Sequence, residues 1–327
     1  MNKFTILKPL CNALLLAGLA GGAYAQDTSY PDRPVSLIVS ASPGGTTDLA
    51  ARMIAEPLSR ALGQSVVVEN KPGAAGGIAA SQVLRAKPDG YTLLLQYSGF
   101  QVITPSIDKV SWDPVESFAP VANILSAPQM LVVKKNLPVN TMKEFVDYAS
   151  KNPGKLNYAS SGNGSLQQVA TELLNQMANI ETTHVPYKGT GPSLTNLLGG
   201  VVDLTITTPP PLLPHVKSGD LKALLVTGKE RLSSVPDVPT AAEAGYPDLQ
   251  VSSWFAMYAP AGTPDTVVQK LAGEIEKIMA TDAYREKAEG LGATAEFMGP
   301  DALKKYTAEE LQRWKKVIDA AGIKGNQ

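Results

Sequence analysis

Cysteine and histidine are nearly absent from this sequence, and neither sign of charge is in excess. The 327 residues include one cysteine and two histidines, and 29 lysines and arginines stand against 30 aspartates and glutamates. So few sulfur and imidazole groups nearly exclude a structural zinc site or a disulfide scaffold. A net charge of −1 offers no basic face to a nucleic acid. We therefore expect no metal, no cofactor and no nucleic-acid partner.

Aromatic residues are also sparse, at 6% of the chain, whereas 28 glycines and 25 prolines predict many turns. Long apolar runs are missing after the N-terminal region, so no later segment predicts a membrane span. A length of 327 residues with 44% hydrophobic residues is enough for two domains, or one large domain, with a substantial core.

The first 25 residues have the layout of a secretory signal peptide. Lys3 and Lys8 precede an apolar run over 10–23, and a small-x-small site ends at Ala25. The alternative is a membrane anchor, but this run of about 14 residues is shorter than the ~20 that a spanning helix needs. We expect cleavage after Ala25, which removes the lone Cys11, and a soluble periplasmic product.

Strands and helices alternate along the rest of the chain. Apolar runs predict strands at 35–39, 65–68, 91–96, 130–133, 156–159, 184–186, 202–207, 221–226 and 254–259. Helical spacing predicts helices at 49–62, 77–86, 142–151, 165–177, 193–198, 265–279, 282–290 and 300–321. Such alternation is typical of an α/β fold with mixed, mostly parallel sheets flanked by helices.

The alternation falls into two α/β lobes that no low-complexity linker separates. We expect the chain to cross between them on strands, near 127–133 and 251–257. The predicted organisation is a signal peptide at 1–25, a first lobe at 26–128 and 252–327, and a second lobe at 129–251.

Three strand-to-helix turns are rich in glycine, serine and threonine, and they lie where open α/β sheets bind ligands. Glycine lets backbone N–H groups approach a ligand, hydroxyls add donors, and a helix N-terminus favours an anion. The alternative is that these residues only form turns and helix caps. The candidate binding residues in these turns are Ser42, Pro43, Gly44, Gly45, Thr46, Asp48, Ser98, Ser160, Ser161, Gly162, Asn163 and Gly164.

Enzyme motifs are missing from the sequence. It contains no phosphate-binding P-loop, no complete dinucleotide fingerprint and no G-x-S-x-G elbow. A hydrolase that uses Ser160, Ser161 or Ser165 needs a base within hydrogen-bond reach. We interpret His184 and His215 as packed or surface residues, away from the binding turns, and expect a protein that is not an enzyme.

Several collinear motifs resemble one family, the Bug-type receptors of tripartite tricarboxylate transporters. The resemblance covers essentially the whole chain after the predicted signal peptide. It is carried by YPDRP at 30–34, SPGG at 42–45 followed by Asp48, VVENKPG at 67–73, PDGYTL at 88–93, NYASSGNG at 157–164, HVPYKG at 184–189, LLGG at 197–200, PT at 239–240, Trp254 and APAGTP at 259–264.

The resemblance implies a two-lobed, type II-like periplasmic binding protein that closes on a small carboxylate in the cleft between its lobes. Its carboxylate-binding loops correspond to Pro43, Gly44, Gly45 and Asp48 in the first lobe, and to Ser161, Gly162, Asn163 and Gly164 in the second. Its implied partners are the large and small membrane subunits of the transporter. A monomer is expected. A receptor for a sensor kinase has the same binding site, so that alternative stays open.

Two departures from the family pattern bear on the ligand. Gln167-Gln168 replaces a Gln-His pair, and 207–211 (TTPPP) stands where relatives often carry an aspartate. Without an acidic partner for an amino group, we expect a dicarboxylate with an apolar body, either aromatic, such as terephthalate, or linear. The alternative is that Thr207 points away from the ligand. Aromatic residues available to line the cleft are Tyr97, Phe100, Tyr187 and Trp254.

Overall fold

The computed structural model describes Met1 and residues 30–323. The predicted signal peptide and its cleavage site lie outside these residues. Over 30–323 the chain forms the strands Val35–Val39 (β1), Val66–Asn70 (β2), Thr92–Tyr97 (β3), Phe118–Pro128 (β4), Met130–Lys134 (β5), Asn157–Ser160 (β6), Thr183–Pro186 (β7), Leu204–Thr207 (β8), Leu221–Val226 (β9) and Ser252–Pro260 (β10).

The α-helices of the same residues confirm most of the predicted ones within a few residues. They are Thr46–Leu62 (α1), Gly77–Leu84 (α2), Thr104–Ile107 (α3), Met142–Lys151 (α4), Leu166–Ala178 (α5), Thr190–Leu198 (α6), Leu213–Lys217 (α7), Asp265–Met279 (α8), Asp282–Gly290 (α9) and Pro300–Ala321 (α10). A 3₁₀ turn at Ala74–Gly76 and a π-helical turn at Gly99–Ile103 were not predicted. None of the helices in this part of the chain has the length and apolarity to cross a bilayer.

The strands form two five-stranded sheets of similar design. The first has the order β2-β1-β3-β10-β4 and the second the order β7-β6-β8-β5-β9. In each sheet two pairings are parallel and two are antiparallel. Four of the five strands in each sheet nevertheless run in the same direction, with only β10 and β5 reversed, so the expectation of mixed, mostly parallel sheets is confirmed. The antiparallel pairings all involve β10 or β5, strands that follow a passage of the chain from one sheet to the other.

The sequence analysis missed the longest strand, β4. Its apolar residues are interrupted by Pro120, Asn123 and Ser126, so neither alternation nor a continuous apolar run marks it. Its pairing with β10 contains two register shifts. Like β-bulges, these shifts accommodate the interruptions. Because pairing with β10 stabilises it, local sequence alone does not reveal this strand.

The chain passes between the sheets at two neighbouring places. Only Gln129 separates β4 in the first sheet from β5 in the second, and the return runs from the end of β9 to Ser252. The Gln129 N–H donates to Thr227 Oγ1 (2.8 Å), and the Gln129 amide donates to Ser253 Oγ (2.9 Å). Both passages therefore lie side by side. Each predicted lobe includes helices and loops as well as a sheet. The lobe boundaries at 128/129 and 251/252 therefore stay a prediction.

An apolar core continues through both sheets. One cluster of buried residues contains Leu37 and Leu95 of the first sheet together with Leu131 of the second. Met130 and Val132 belong instead to a second cluster on the opposite face, because successive side chains of a strand point to opposite sides. The second sheet is thus covered on both faces, which leaves the ends of its strands as the place for a ligand site.

Candidate functional site

The loops that follow β1 and β3 in the first sheet meet those that follow β6 and β8 in the second. Thr46 Oγ1 lies 2.5 Å from Thr208 Oγ1, and the Ser42 hydroxyl donates to the Lys188 carbonyl. A Cβ atom at Gly191 would lie 2.3 Å from the Pro43 carbonyl oxygen, so this close approach requires glycine. The first predicted binding turn therefore packs against the loops that follow β7 and β8, and Thr46 of this turn lines the same small space as Ser161 of the second turn.

The first turn is held in shape by Asp48. This buried carboxylate accepts the Gly44 N–H at 3.1 Å, Arg52 Nε at 3.1 Å and Asn70 Nδ2 at 3.1 Å. Gly44 has φ = +82°, a left-handed conformation that glycine adopts without strain. Since the carboxylate is occupied by these donors, Asp48 positions the loop.

The second turn depends on glycines at close approach. Gly162 has φ = +135°, and a Cβ there would lie 3.2 Å from the Tyr187 carbonyl oxygen. The Gly164 N–H donates to Gln168 Oε1 at 2.8 Å, and the Gly164 carbonyl accepts Thr104 Oγ1 at 3.1 Å. The last bond joins the turn to a helix that follows the first sheet's β3.

Ser160 and His184 form a hydrogen bond that the sequence analysis did not anticipate. His184 Nε2 lies 2.6 Å from Ser160 Oγ. His184 is a packed residue of strand β7 rather than part of a binding turn, as predicted, but its ring reaches a serine of the second turn. The residues are 24 positions apart, and only the parallel pairing of β6 with β7 brings them together. The ring stacks on Tyr158 with centroids 4.8 Å apart, and burial lowers the pKa of His184 to about 4.

This pair differs from a nucleophile and its base. Ser160 Oγ also bonds the Gly162 carbonyl oxygen (3.1 Å) and the Gly162 N–H (3.2 Å), so it is engaged with its own turn. Within residues 30–323, no carboxylate bonds the His184 ring to orient it, as a catalytic triad requires. The pair therefore fixes the shape of the turn.

A buried polar network lies between the two turns. Tyr97 and Ser161 both donate to Gln167 Oε1, at 3.2 and 2.7 Å, and Tyr97 OH lies 3.0 Å from Ser161 Oγ. Gln167 Nε2 donates to Thr207 Oγ1 at 3.1 Å and contacts Thr190 Oγ1 at 3.5 Å. Burial raises the pKa of Tyr97, which keeps its hydroxyl protonated. The network thus consists of neutral hydroxyl and amide groups.

Three helices begin at this network. α1 starts after Gly45 and α6 after Gly189, both without a side-chain cap, whereas Ser165 caps α5. A Cβ at Gly45 would lie 3.4 Å from Thr190 Cβ, so the first turns of α1 and α6 are adjacent. The first amides of a helix lack partners within it, and the helix dipole adds positive potential there. The arrangement favours an anion.

Two spaces adjoin the network. The inner one, beside Thr46, Tyr97 and Gln167, measures only about 10 Å³, which is room for about one water molecule. The outer one is an open cleft of about 850 Å³. Phe100 and Ser161 line both spaces, so they mark the passage between them.

The remaining candidate residues lie at the cleft, in the network or outside both. Gly162, Asn163 and Tyr187 line the cleft, and Thr207 is buried in the network. The Ser98 hydroxyl instead accepts a hydrogen bond from the backbone N–H of Trp254 at 3.3 Å. Trp254 is buried and lines neither space.

Sequence reasoning missed Gln167, Thr190 and Thr208 as members of the site. Gln167 was noted only as a departure from the family pattern, although its place in the first turn of α5, directly after the glycine-rich turn, pointed to it. Thr190 follows Gly189 in the same way. Among residues 30–323 no cluster of three histidine, cysteine or acidic side chains is suited to hold a metal ion.

Comparison with known proteins decides the family. The model of the tripartite tricarboxylate transporter family receptor matches residues 50–323. The chain belongs to this family. The resemblance to Bug-type receptors that the sequence motifs carry is thereby confirmed.

Solved structures agree with this assignment. The periplasmic binding protein BugD is 35% identical with a TM-score of 0.86, over 90% of this chain and 99% of BugD. MatC of Rhodopseudomonas palustris with bound malate is 35% identical with a TM-score of 0.84, over 88% and 100%. Rpa4515 of R. palustris with adipate is 37% identical with a TM-score of 0.87, over 90% and 98%. The predicted binding-protein fold is confirmed.

Proposed function

We propose that this receptor binds a small dicarboxylate between its two sheets and delivers it to the membrane subunits of a tripartite transporter. The observation that carries the proposal is the neutral network at which three helices begin. Such a site supplies hydroxyl and amide donors together with positive potential, which suits a carboxylate. Hydrogen bonds to a charged group contribute about 1.5–3 kcal/mol each, so a few of them account for micromolar affinity.

The second end of the ligand is also an acid rather than an amine. Thr207 and Thr208 are buried, uncharged and engaged with Gln167 and Thr46, and Asp48 is occupied by its own loop. Among the described residues, an ammonium group at the network would therefore lack a carboxylate partner. The malate and adipate of the two R. palustris relatives support the dicarboxylate class.

The body of the ligand is apolar and is bound in the cleft. Phe100 and Tyr187 line the cleft, and both suit a methylene chain or an aromatic ring. Adipate in a relative supports the linear form, and these two aromatic side chains favour the ring of terephthalate. The choice between them is an outcome of the experiment below.

Ligand entry requires the two halves of the protein to move apart. The inner space of about 10 Å³ is too small for a dicarboxylate, so the turns at Thr46 and Ser161 must separate and then close on the ligand. The two passages at Gln129 and Thr227 lie side by side, as in a hinge. We take the segments 26–128 with 252–327, and 129–251, as the two lobes that move. Bonds from the ligand to both lobes favour closure only when it is bound.

The same proposal includes a periplasmic, monomeric receptor without catalytic activity. Its periplasmic location is supported by the signal-peptide layout at 1–25 and by the relative BugD. The engagement of Ser160 with its own turn supports the absence of catalysis.

Thermal unfolding of residues 26–327 with a panel of carboxylates tests the ligand class. The panel contains acetate, malate, adipate, terephthalate, citrate and aspartate. A ligand at 100 times its Kd stabilises the folded protein by about 2.7 kcal/mol, which raises the Tm by about 5 °C or more. We expect this shift with a dicarboxylate. A shift with aspartate alone would exclude the dicarboxylate assignment, and no shift with any compound would contradict the binding role.

Uptake tests the partner. Deletion of the gene should abolish cellular uptake of the dicarboxylate that binds, and the purified receptor should restore uptake in vesicles containing the membrane subunits. Unchanged uptake together with a lost transcriptional response to the ligand would favour the sensor-kinase alternative.

A further inference from the structure

A buried serine hydroxyl without a partner lies in the wall of the cleft. Ser40 directly follows β1, and its N–H donates to the Leu95 carbonyl at 3.2 Å. The residue is fully buried and lines the cleft, yet its Oγ has no hydrogen-bond partner among the described residues. Burial of an unpaired hydroxyl opposes folding. A ligand that accepts a hydrogen bond from Ser40 Oγ would explain why a serine is buried here.

A backbone turn of unusual conformation lies in the same wall. Gly73, Ala74 and Ala75 line the cleft, and the two alanines have φ of +47° and +45°. Residues with a Cβ rarely adopt this left-handed region. The alanines begin the 3₁₀ turn Ala74–Gly76, so a strained backbone segment lines the same cleft as Ser40.

The cleft connects this wall with the binding turn at Ser161. Phe100 lines the same cleft, so it offers an apolar surface to the body of a ligand that extends from Ser161 to Ser40. The charged residues that line the cleft are Lys109, Lys188 and Asp108, with a net charge of +1. This balance favours an anionic end group over a cationic one.

We propose that Ser40 forms a second subsite that binds the far carboxylate of an extended dicarboxylate. The inference rests on the proposed function and specifies it. The first carboxylate lies at the network of Ser161 and the helix N-termini, the apolar body lies along Phe100, and the second carboxylate accepts a hydrogen bond from Ser40. The receptor thereby selects ligands by length as well as by charge.

Calorimetric titration of wild-type protein and of Ser40→Ala tests this subsite. The ligands are the unbranched diacids from malonate to pimelate, terephthalate, and hexanoate as a monocarboxylate. The matched control is Ser234→Ala, because Ser234 also buries an Oγ without a partner in the part of the chain that the structure describes but does not line the cleft. Loss of one bond to a carboxylate weakens binding by about tenfold.

The expected result is a Kd about tenfold higher in Ser40→Ala for the diacid that wild type binds best, with no change for hexanoate. The Tm without ligand should not fall in Ser40→Ala or Ser234→Ala, since each substitution removes an unsatisfied polar group. Ser234→Ala should keep the wild-type Kd for every ligand.

Three outcomes would overturn the inference. An unchanged diacid Kd in Ser40→Ala shows that the hydroxyl does not contact the ligand. Equal losses for diacid and hexanoate, or a lowered Tm in Ser40→Ala alone, assign Ser40 a structural role. Absence of dicarboxylate binding in the wild-type protein overturns the proposed function and the subsite together, so the two failures are distinguishable.

Discussion

The phenol oxygen of Tyr97 lies 3.0 Å from the hydroxyl oxygen of Ser161, and this pair joins the end of β3 in the first sheet to the turn after β6 in the second. Both groups also donate to Gln167 Oε1. Burial raises the pKa of Tyr97, so its hydroxyl remains a donor across the neutral range. The pair is a direct, pH-insensitive connection between the two halves that are proposed to close.

Tyr97→Phe should weaken dicarboxylate binding by about twofold to tenfold. The change removes one hydroxyl that contributes about 0.5–1.5 kcal/mol in a typical hydrogen bond and leaves the ring packing against Phe100 in place. Calorimetric titration measures the Kd. Tyr148→Phe, on α4 and away from the network, is the matched control and should bind as wild type does. An unchanged Kd in Tyr97→Phe would contradict a role for the pair in closure.

Thr207→Asp should reduce dicarboxylate affinity by more than tenfold. Thr207 accepts a hydrogen bond from Gln167 Nε2 and is buried, so a carboxylate there would repel an anionic ligand at low dielectric. The nearly isosteric Thr207→Val removes only the hydroxyl and should cost less than tenfold. Titration of both variants separates charge from packing. Unchanged affinity in Thr207→Asp would show that this position does not face the ligand.

Gly162→Ala should both destabilise the fold and weaken binding. A Cβ at φ = +135° is strained and would lie 3.2 Å from the Tyr187 carbonyl, so we expect a loss of about 1–3 kcal/mol in the free energy of unfolding. Gly219→Ala introduces a Cβ at φ = +77° in open space and serves as the control for backbone strain alone. Urea unfolding and ligand titration measure the two effects. If Gly162→Ala bound ligand with wild-type affinity, the turn would not be part of the site.

The stability of the folded protein should fall as the pH decreases from about 6.5 to about 4, in part because of His184. Burial lowers the pKa of this residue from 6.5 to about 4, so the unfolded chain binds a proton before the folded one does. The contribution is fully present above pH 6.5 and is lost below pH 4. His184→Gln cannot titrate there, and the Tm difference between wild type and variant should change across this window. A constant difference would contradict the shifted pKa.

The order of elements could be predicted from the sequence because it is encoded locally. The helices α8, α9 and α10 begin and end where apolar spacing, glycine and proline indicate. The strand β4 escaped prediction because it is stabilised by pairing with β10, more than 120 residues away.

The candidate site, too, could be predicted from the sequence only in part. Glycine-rich turns at the ends of strands identified Gly45 and Ser161, since glycine and hydroxyl groups at a helix N-terminus are visible in a short stretch of sequence. The roles of other residues were not visible. Asp48 was expected to bind the ligand, but it accepts the Gly44 N–H and Arg52 instead, and Gln167 joins the network through partners from separate elements.

The sequence by itself determined the alternating α/β elements, the two glycine-rich turns that are proposed to bind the ligand and, through its collinear motifs, the receptor family. All of these depend on residues that are near one another along the chain. Only the tertiary structure decided which turns face each other, that His184 bonds Ser160 and that Ser40 is buried in the cleft wall without a side-chain partner within residues 30–323. Hydrogen bonding and burial depend on distances in space, and strand pairing sets those distances between residues that are far apart in sequence.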